Sequence, residues 1–110
     1  MSSTQLLLIT YDLKHPASDY VILFNHLKST GVWWHNIQST WMIVTDKAVD
    51  DWANLIRCCI HPDDRFLVVD VTDRYINGWL TKDGWDWIRN CRNQINKKDQ
   101  SKELSQSKEC

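Results

Sequence analysis

Two short segments of this chain are apolar at nearly every position, and that limits how it can fold. Gln5–Tyr11 and Arg65–Val71 both read as β-strands. Successive side chains of a strand point to opposite faces. Leu7 and Ile9 therefore point one way and Leu6 and Leu8 the other. Phe66 and Val68 likewise oppose Leu67, Val69 and Val71. A sheet with one wet face alternates apolar with polar residues. A sheet built on these two strands needs cover on both faces, because an open apolar face of that size invites association.

The remaining segments surround these two. Asp12 closes the first strand, and Pro16 keeps His15 out of a helix. Ser18–Thr30 reads as a helix capped by Ser18 or Asp19, with Tyr20, Leu23, Phe24 and Leu27 on one face and Gly31 at its end. Val32–Gln38 and Thr40–Thr45 read as a hairpin turning at Gln38-Ser39. Thr45 or Asp46 caps a second helix, Lys47–Cys59, whose inner face is Val49, Trp52, Ile56 and Cys59. His61-Pro62-Asp63-Asp64 is a turn. Tyr75–Leu80 reads as a short fifth strand, weakened by Gly78. Thr81 caps a third helix, Lys82–Ile95, with Trp85, Ile88, Cys91 and Ile95 inward.

This order predicts an α+β domain of the ferredoxin-like β-α-β-β-α-β type with a C-terminal β-α extension, over residues 1–95. Right-handed crossovers then set the first and fourth strands side by side, with both crossover helices on one face. The other face is covered by the C-terminal helix or by a second copy of the chain. Residues 96–110 are Lys, Gln, Ser, Asp and Glu with one Leu, and are expected to be a disordered tail.

Composition excludes several classes. At 110 residues the chain fits one domain. No run approaches the roughly 20 apolar residues of a membrane span, and the N-terminus lacks the basic start of a secretory signal. The expected address is the cytoplasm. Four cysteines without a CxxC spacing read as free thiols rather than a zinc site. The net charge of −1 argues against a dedicated duplex-DNA binder. Seven tryptophans exceed what a chain of this size usually carries; most must be core, with one or two left for contacts.

Topology gathers the polar candidates at one edge, where the first strand ends and the fourth begins. Asp12 is either a strand-terminating turn acceptor or a magnesium ligand, which needs a second Asp12 from another copy to hold the ion well. Ser39 and Thr40 are either hairpin residues or phosphate contacts, and Asp63-Asp64-Arg65 is either a solvated turn or a charged site. Trp33-Trp34-His35 is either core and interface or a platform on which bases stack. No Gly-rich phosphate loop or Ser-His-Asp order is present.

These motifs resemble a known group. Tyr11-Asp12-Leu13, Gln38 followed by Ser39 and Thr40, and Pro62-Asp63-Asp64-Arg65 are similar in order and spacing to the small ferredoxin-fold nuclease subunit of the CRISPR adaptation machinery, over residues 5–72. Trp33-Trp34-His35, Ser39-Thr40-Trp41 and Gly78-Trp79-Leu80 resemble SinR-like small proteins, to about residue 90. VapD-type ribonucleases share the fold class. The resemblance implies a homodimer with facing sheets, a fifth strand able to pair with the partner, and a metal-binding carboxylate at Asp12.

Two functions are therefore expected from different classes. One is a homodimeric nucleic-acid-binding protein, extending to a Mg²⁺-dependent endonuclease on RNA or single-stranded DNA. In it Asp12 is catalytic and metal-binding, Gln38, Ser39, Thr40 and Arg65 contact nucleic acid, and Trp33, Trp34 and His35 stack or face a partner. The other is a non-catalytic interaction or regulatory module of phage-defence or mobile-element context.

Overall fold

The computed structural model describes the backbone of residues 4–109 and the side chains of residues 4–96. It is an α+β arrangement of one four-stranded antiparallel sheet and three helices. The strands are β1 (Gln5–Asp12), β2 (Trp33–Ile37), β3 (Thr40–Thr45) and β4 (Arg65–Asp70). The helices are α1 (Val21–Lys28), α2 (Val49–Arg57) and α3 (Lys82–Glu109), with a 3₁₀ turn at Ala17–Tyr20 leading into α1. The sheet order is β2-β3-β1-β4. Hence β1 is central, antiparallel to β3 on one side and to β4 on the other.

One face of the sheet carries Leu7, Ile9, Trp41 and Ile43. Against it pack Tyr20 from the 3₁₀ turn, Leu23 and Leu27 from α1, and Trp52 and Ile56 from α2. The helical spacing of these residues is the reason each helix lies down on the sheet. Gly31 closes α1 with φ +78°, a conformation that only glycine adopts freely. Thr45 does not cap α2. Its hydroxyl accepts the Lys47 N–H and the Trp52 indole N–H, at 3.1 and 3.0 Å, and so pins the start of α2 to the sheet.

The opposite face carries Leu6, Trp34 and Met42, which pack with Val71 against Ile88 and Ile95 of α3. This chain's own third helix thus covers that part of the second face. Thr81 caps α3 through its hydroxyl, which accepts the Gly84 N–H at 3.2 Å. Arg92 ties α3 to the preceding linker by donating to the carbonyls of Val71 and Arg74, both at 2.6 Å. Cys91 is buried in this layer, and burial pushes its thiol up to about 11. The cover is partial: Leu67 remains 58% exposed, with Val69 and Ile37 also open.

Two expectations change. Tyr75–Leu80 is an irregular segment and no fifth strand. The Asn77 side chain takes the Gly78 N–H at 2.7 Å, and Tyr75 and Trp79 project into solvent, so nothing holds the segment along β4. The α3 backbone runs on to Glu109, past the Ile95 where the pattern of apolar residues stops. No proline interrupts 96–110, and Lys, Gln and Glu are good helix formers. The side chains of residues 97–110, on which the expectation of disorder rests, lie outside the described residues. Among the described residues no helix is long and apolar enough to cross a membrane.

If α3 is an integral layer, Ile88→Ala should cost about 2–5 kcal/mol in a urea melt. Leu67→Ser, on the open part of the same face, should change stability by less than about 1 kcal/mol. Equal effects of the two substitutions would mean that α3 does not bury Ile88.

Candidate functional site

Strand β1 runs out at Asp12, beside the β2–β3 turn. The Tyr11 N–H donates to the Ser39 carbonyl at 3.0 Å, which holds that turn against the strand end. The result is a cleft of about 460 Å³, lined by Tyr11, Asp12, His15, Phe24, His35, Gln38 and Ser39 among others. Asp12, Gln38, Ser39 and His35 are therefore brought together. The His35 ring lies flat on Trp41, with centroids 3.9 Å apart and planes 13° from parallel. Its Nε2–H donates to the Gln38 carbonyl at 2.9 Å, because a carbonyl can only accept. Trp41 Nε1–H in turn donates to the Tyr11 hydroxyl at 3.0 Å.

The other expected residues lie elsewhere. The Thr40 hydroxyl donates to the Thr10 hydroxyl, and Thr40 lines a different cavity on the α3 side of the sheet. The Arg65 guanidinium donates to the carbonyls of Pro62 and Asp64 outside the cleft lining. Trp34 is buried in the α3 layer and is no platform for a base. Trp33 is partly exposed, tilted against Trp41, with the Lys28 ammonium 5.8 Å above its ring.

Of the two readings of Asp63-Asp64-Arg65, a solvated turn does not hold for Asp64, which is 5% exposed. One carboxylate oxygen accepts the Lys14 N–H at 2.8 Å, the other accepts the His61 N–H at 2.8 Å, and both are within 2.9 Å of the Tyr20 hydroxyl. Burial works to raise the Asp64 carboxyl, but the hydrogen bonds from Lys14, His61 and Tyr20 outweigh it and hold the group below its ordinary value. Tyr20 moves the other way: burial and the Asp64 carboxylate push its phenol up. The Tyr20 oxygen also accepts the His15 N–H at 3.1 Å. A buried Asp64–Tyr20 pair therefore fixes the backbone of both His15 and His61.

These histidines form a cluster that sequence reading passed over. Their rings lie 3.9 Å apart between centroids. His15 Nε2 is 3.1 Å from Asp63 Oδ1, and His61 Nε2 is 3.3 Å from Asp19 Oδ2. The hydrogen bond from His15 holds the Asp63 carboxyl below its usual range. Only the proximity of His15 to Pro16 and of His61 to Pro62 hinted at two ordered loops. Their meeting depends on how α1 and α2 are laid on the sheet.

The two carboxylate regions differ toward metals. Magnesium prefers several oxygen ligands in octahedral array. Asp12 offers one carboxylate, 67% exposed and held by Lys14 Nζ at 2.7 Å, and no second carboxylate lines the cleft. A single chain does not fit Mg²⁺ at Asp12. The histidine cluster offers two imidazoles with carboxylates, in two groups of possible ligands: His15, Asp19 and His61, or His15, Asp63 and Asp64. Comparison of the chain with family models, with curated proteins and with solved structures gives no match.

Stability should follow the Asp64 carboxyl with acid. A carboxyl held below its unfolded value of 3.8 stabilises the fold above that pH, and the contribution is lost as pH falls through the lower folded value. Melting curves from pH 6 to pH 2 should therefore show a drop setting in near pH 4. Asp64→Asn should melt lower at pH 6 and show a smaller drop. An unchanged drop in the variant would assign the acid sensitivity to other carboxylates.

Proposed function

We propose that this chain is a nucleic-acid-binding protein of the ferredoxin-like α+β type, working as a homodimer on RNA or single-stranded DNA. The observation that carries the reading is the cleft at the end of β1, where aromatic and imidazole rings stand beside small polar groups. The strand order β2-β3-β1-β4, with α1 and α2 on one face, supports the fold type. Tyr11, Phe24 and His35 offer faces for unpaired bases. Gln38 and Ser39 offer hydrogen bonds, and the Lys14 ammonium, paired with the cleft residue Asp12, offers positive charge toward phosphate.

The overall charge of −1 sets the scale of such binding. One or two phosphate contacts give a slope of log affinity against log salt of about −0.7 to −1.4 for a single strand. Affinity then comes largely from stacking, which suits single strands better than duplex.

Mg²⁺-dependent cleavage is the stronger form of the reading. It requires Asp12 carboxylates from two copies, since one chain supplies too few oxygens. The open part of the sheet, Leu67, Val69 and Ile37, is the surface on which a second copy would be seated. The alternative is a non-catalytic interaction module. It is favoured by Trp79, 100% exposed, and Tyr75, 90% exposed, at the mouth of a second cavity of about 460 Å³ lined largely by apolar side chains.

Titration of tryptophan fluorescence with oligoribonucleotides and single-stranded DNA is the test. Saturable binding with the shallow salt slope, weakened by Lys14→Gln and by Ser39→Ala, supports the cleft. No binding at low salt by a folded protein rejects it in favour of the interaction module. Cleavage that needs Mg²⁺ and disappears in Asp12→Asn would establish the endonuclease. Light-scattering mass should show a dimer that Leu67→Asp converts to a monomer; a monomeric parent protein would remove the paired-Asp12 arrangement.

A further inference from the structure

We propose that His15, Asp19 and His61 form a binding site for a divalent transition-metal ion of the zinc class. This goes beyond the nucleic-acid reading and stands apart from Asp12. The three residues come from separate segments: the loop after β1, the 3₁₀ turn, and the loop between α2 and β4. One ligand atom from each lies within 4.8 Å of the others. In a tetrahedral zinc site with bonds of about 2.0–2.1 Å, ligand atoms sit about 3.3 Å apart. The His61–Asp19 pair already stands at 3.3 Å. Closing the remaining gap takes rotation of side chains that are only partly buried, with His15 at 35% exposure and the other two at 41%.

The donor set selects the metal. Two imidazole nitrogens and one carboxylate suit Zn²⁺, Co²⁺ or Ni²⁺ and suit Mg²⁺ or Ca²⁺ poorly. Three protein ligands leave a fourth position for water. Asp63, against His15 Nε2, supplies the carboxylate that commonly orients a metal-binding imidazole.

The backbone is arranged before any ion arrives. Asp64 receives the N–H of His61 and of Lys14, and Tyr20 receives the N–H of His15. These bonds hold the two loops at a fixed separation, so little ordering remains to oppose binding. They also occupy Asp64, whose oxygens are already filled by three donors; it acts as the frame and not as a ligand. Two imidazole rings 3.9 Å apart and tilted by 37°, each beside a carboxylate, are what such a set looks like when its ligands pair among themselves.

Calorimetric titration of the full chain with Zn²⁺ alone is the first experiment, with Mg²⁺ in parallel. One Zn²⁺ per chain is expected, together with a raised melting temperature, and no comparable response to Mg²⁺. Asp19→Asn and His61→Asn should each weaken Zn²⁺ binding by about tenfold or more. Both should keep the metal-free circular dichroism spectrum, since neither side chain is core. Cys58→Ser and Cys59→Ser separate the site from the adjacent thiols and should leave binding intact. Co²⁺ should give visible ligand-field bands without the near-ultraviolet charge-transfer band of a thiolate. Binding that survives Asp19→Asn and His61→Asn unchanged, or that is lost with the two cysteines, overturns the site, as does the absence of stoichiometric Zn²⁺ binding.

Discussion

The structure depends on the central strand β1 being buried from both sides. Leu6, Leu7 and Ile9 are fully excluded from solvent, although they point to opposite faces. Apolar burial is worth roughly 25 cal/mol per Å², and a strand of this kind gains it only between two layers. The two crossover helices supply one layer and α3 the other. Neither layer is optional, and this explains why a chain with a short sheet devotes so much of its length to helices.

Within this frame Asp64 has a second organising role. A carboxylate removed from water is costly unless hydrogen bonds replace its hydration. Asp64 meets that demand with two backbone N–H groups and a phenol from three different segments. The cost of burial is thereby turned into loop order. The cleft wall at His15 and the histidine cluster both hang from this one residue, so the polar edge of the molecule is more rigid than its exposure suggests.

Most of the fold was legible in the sequence, because periodicity records which face of an element is buried. Leu23 and Leu27, Trp52 and Ile56, and Ile88 and Ile95 all fall where their spacing sets them. The hairpin turn at Gln38-Ser39 and the Thr81 cap were legible for the same local reasons. Tyr75–Leu80 was not: strand-forming residues take that state only when paired, and this segment leaves the open edge of β4 unpaired. The cleft residues Asp12, Gln38 and Ser39 could be grouped from topology alone. The His15–His61 contact could not, since it joins loops 46 residues apart through packing angles that periodicity does not encode. Asp64 was equally hidden, because an acidic residue in a Pro-Asp-Asp turn has the look of a surface residue.

The burial of Cys91 has a kinetic consequence. A thiol reacts as its thiolate, and a group raised to about 11 and packed in the α3 layer offers almost none at neutral pH. Cys58, by contrast, stands exposed. The chain therefore carries an internal clock: modification of Cys58 proceeds from the closed molecule, whereas modification of Cys91 waits for α3 to lift from the sheet. Divided by its rate in the unfolded chain, the Cys91 rate measures how often the second face of the sheet opens, and so how accessible that face is to any competitor for α3.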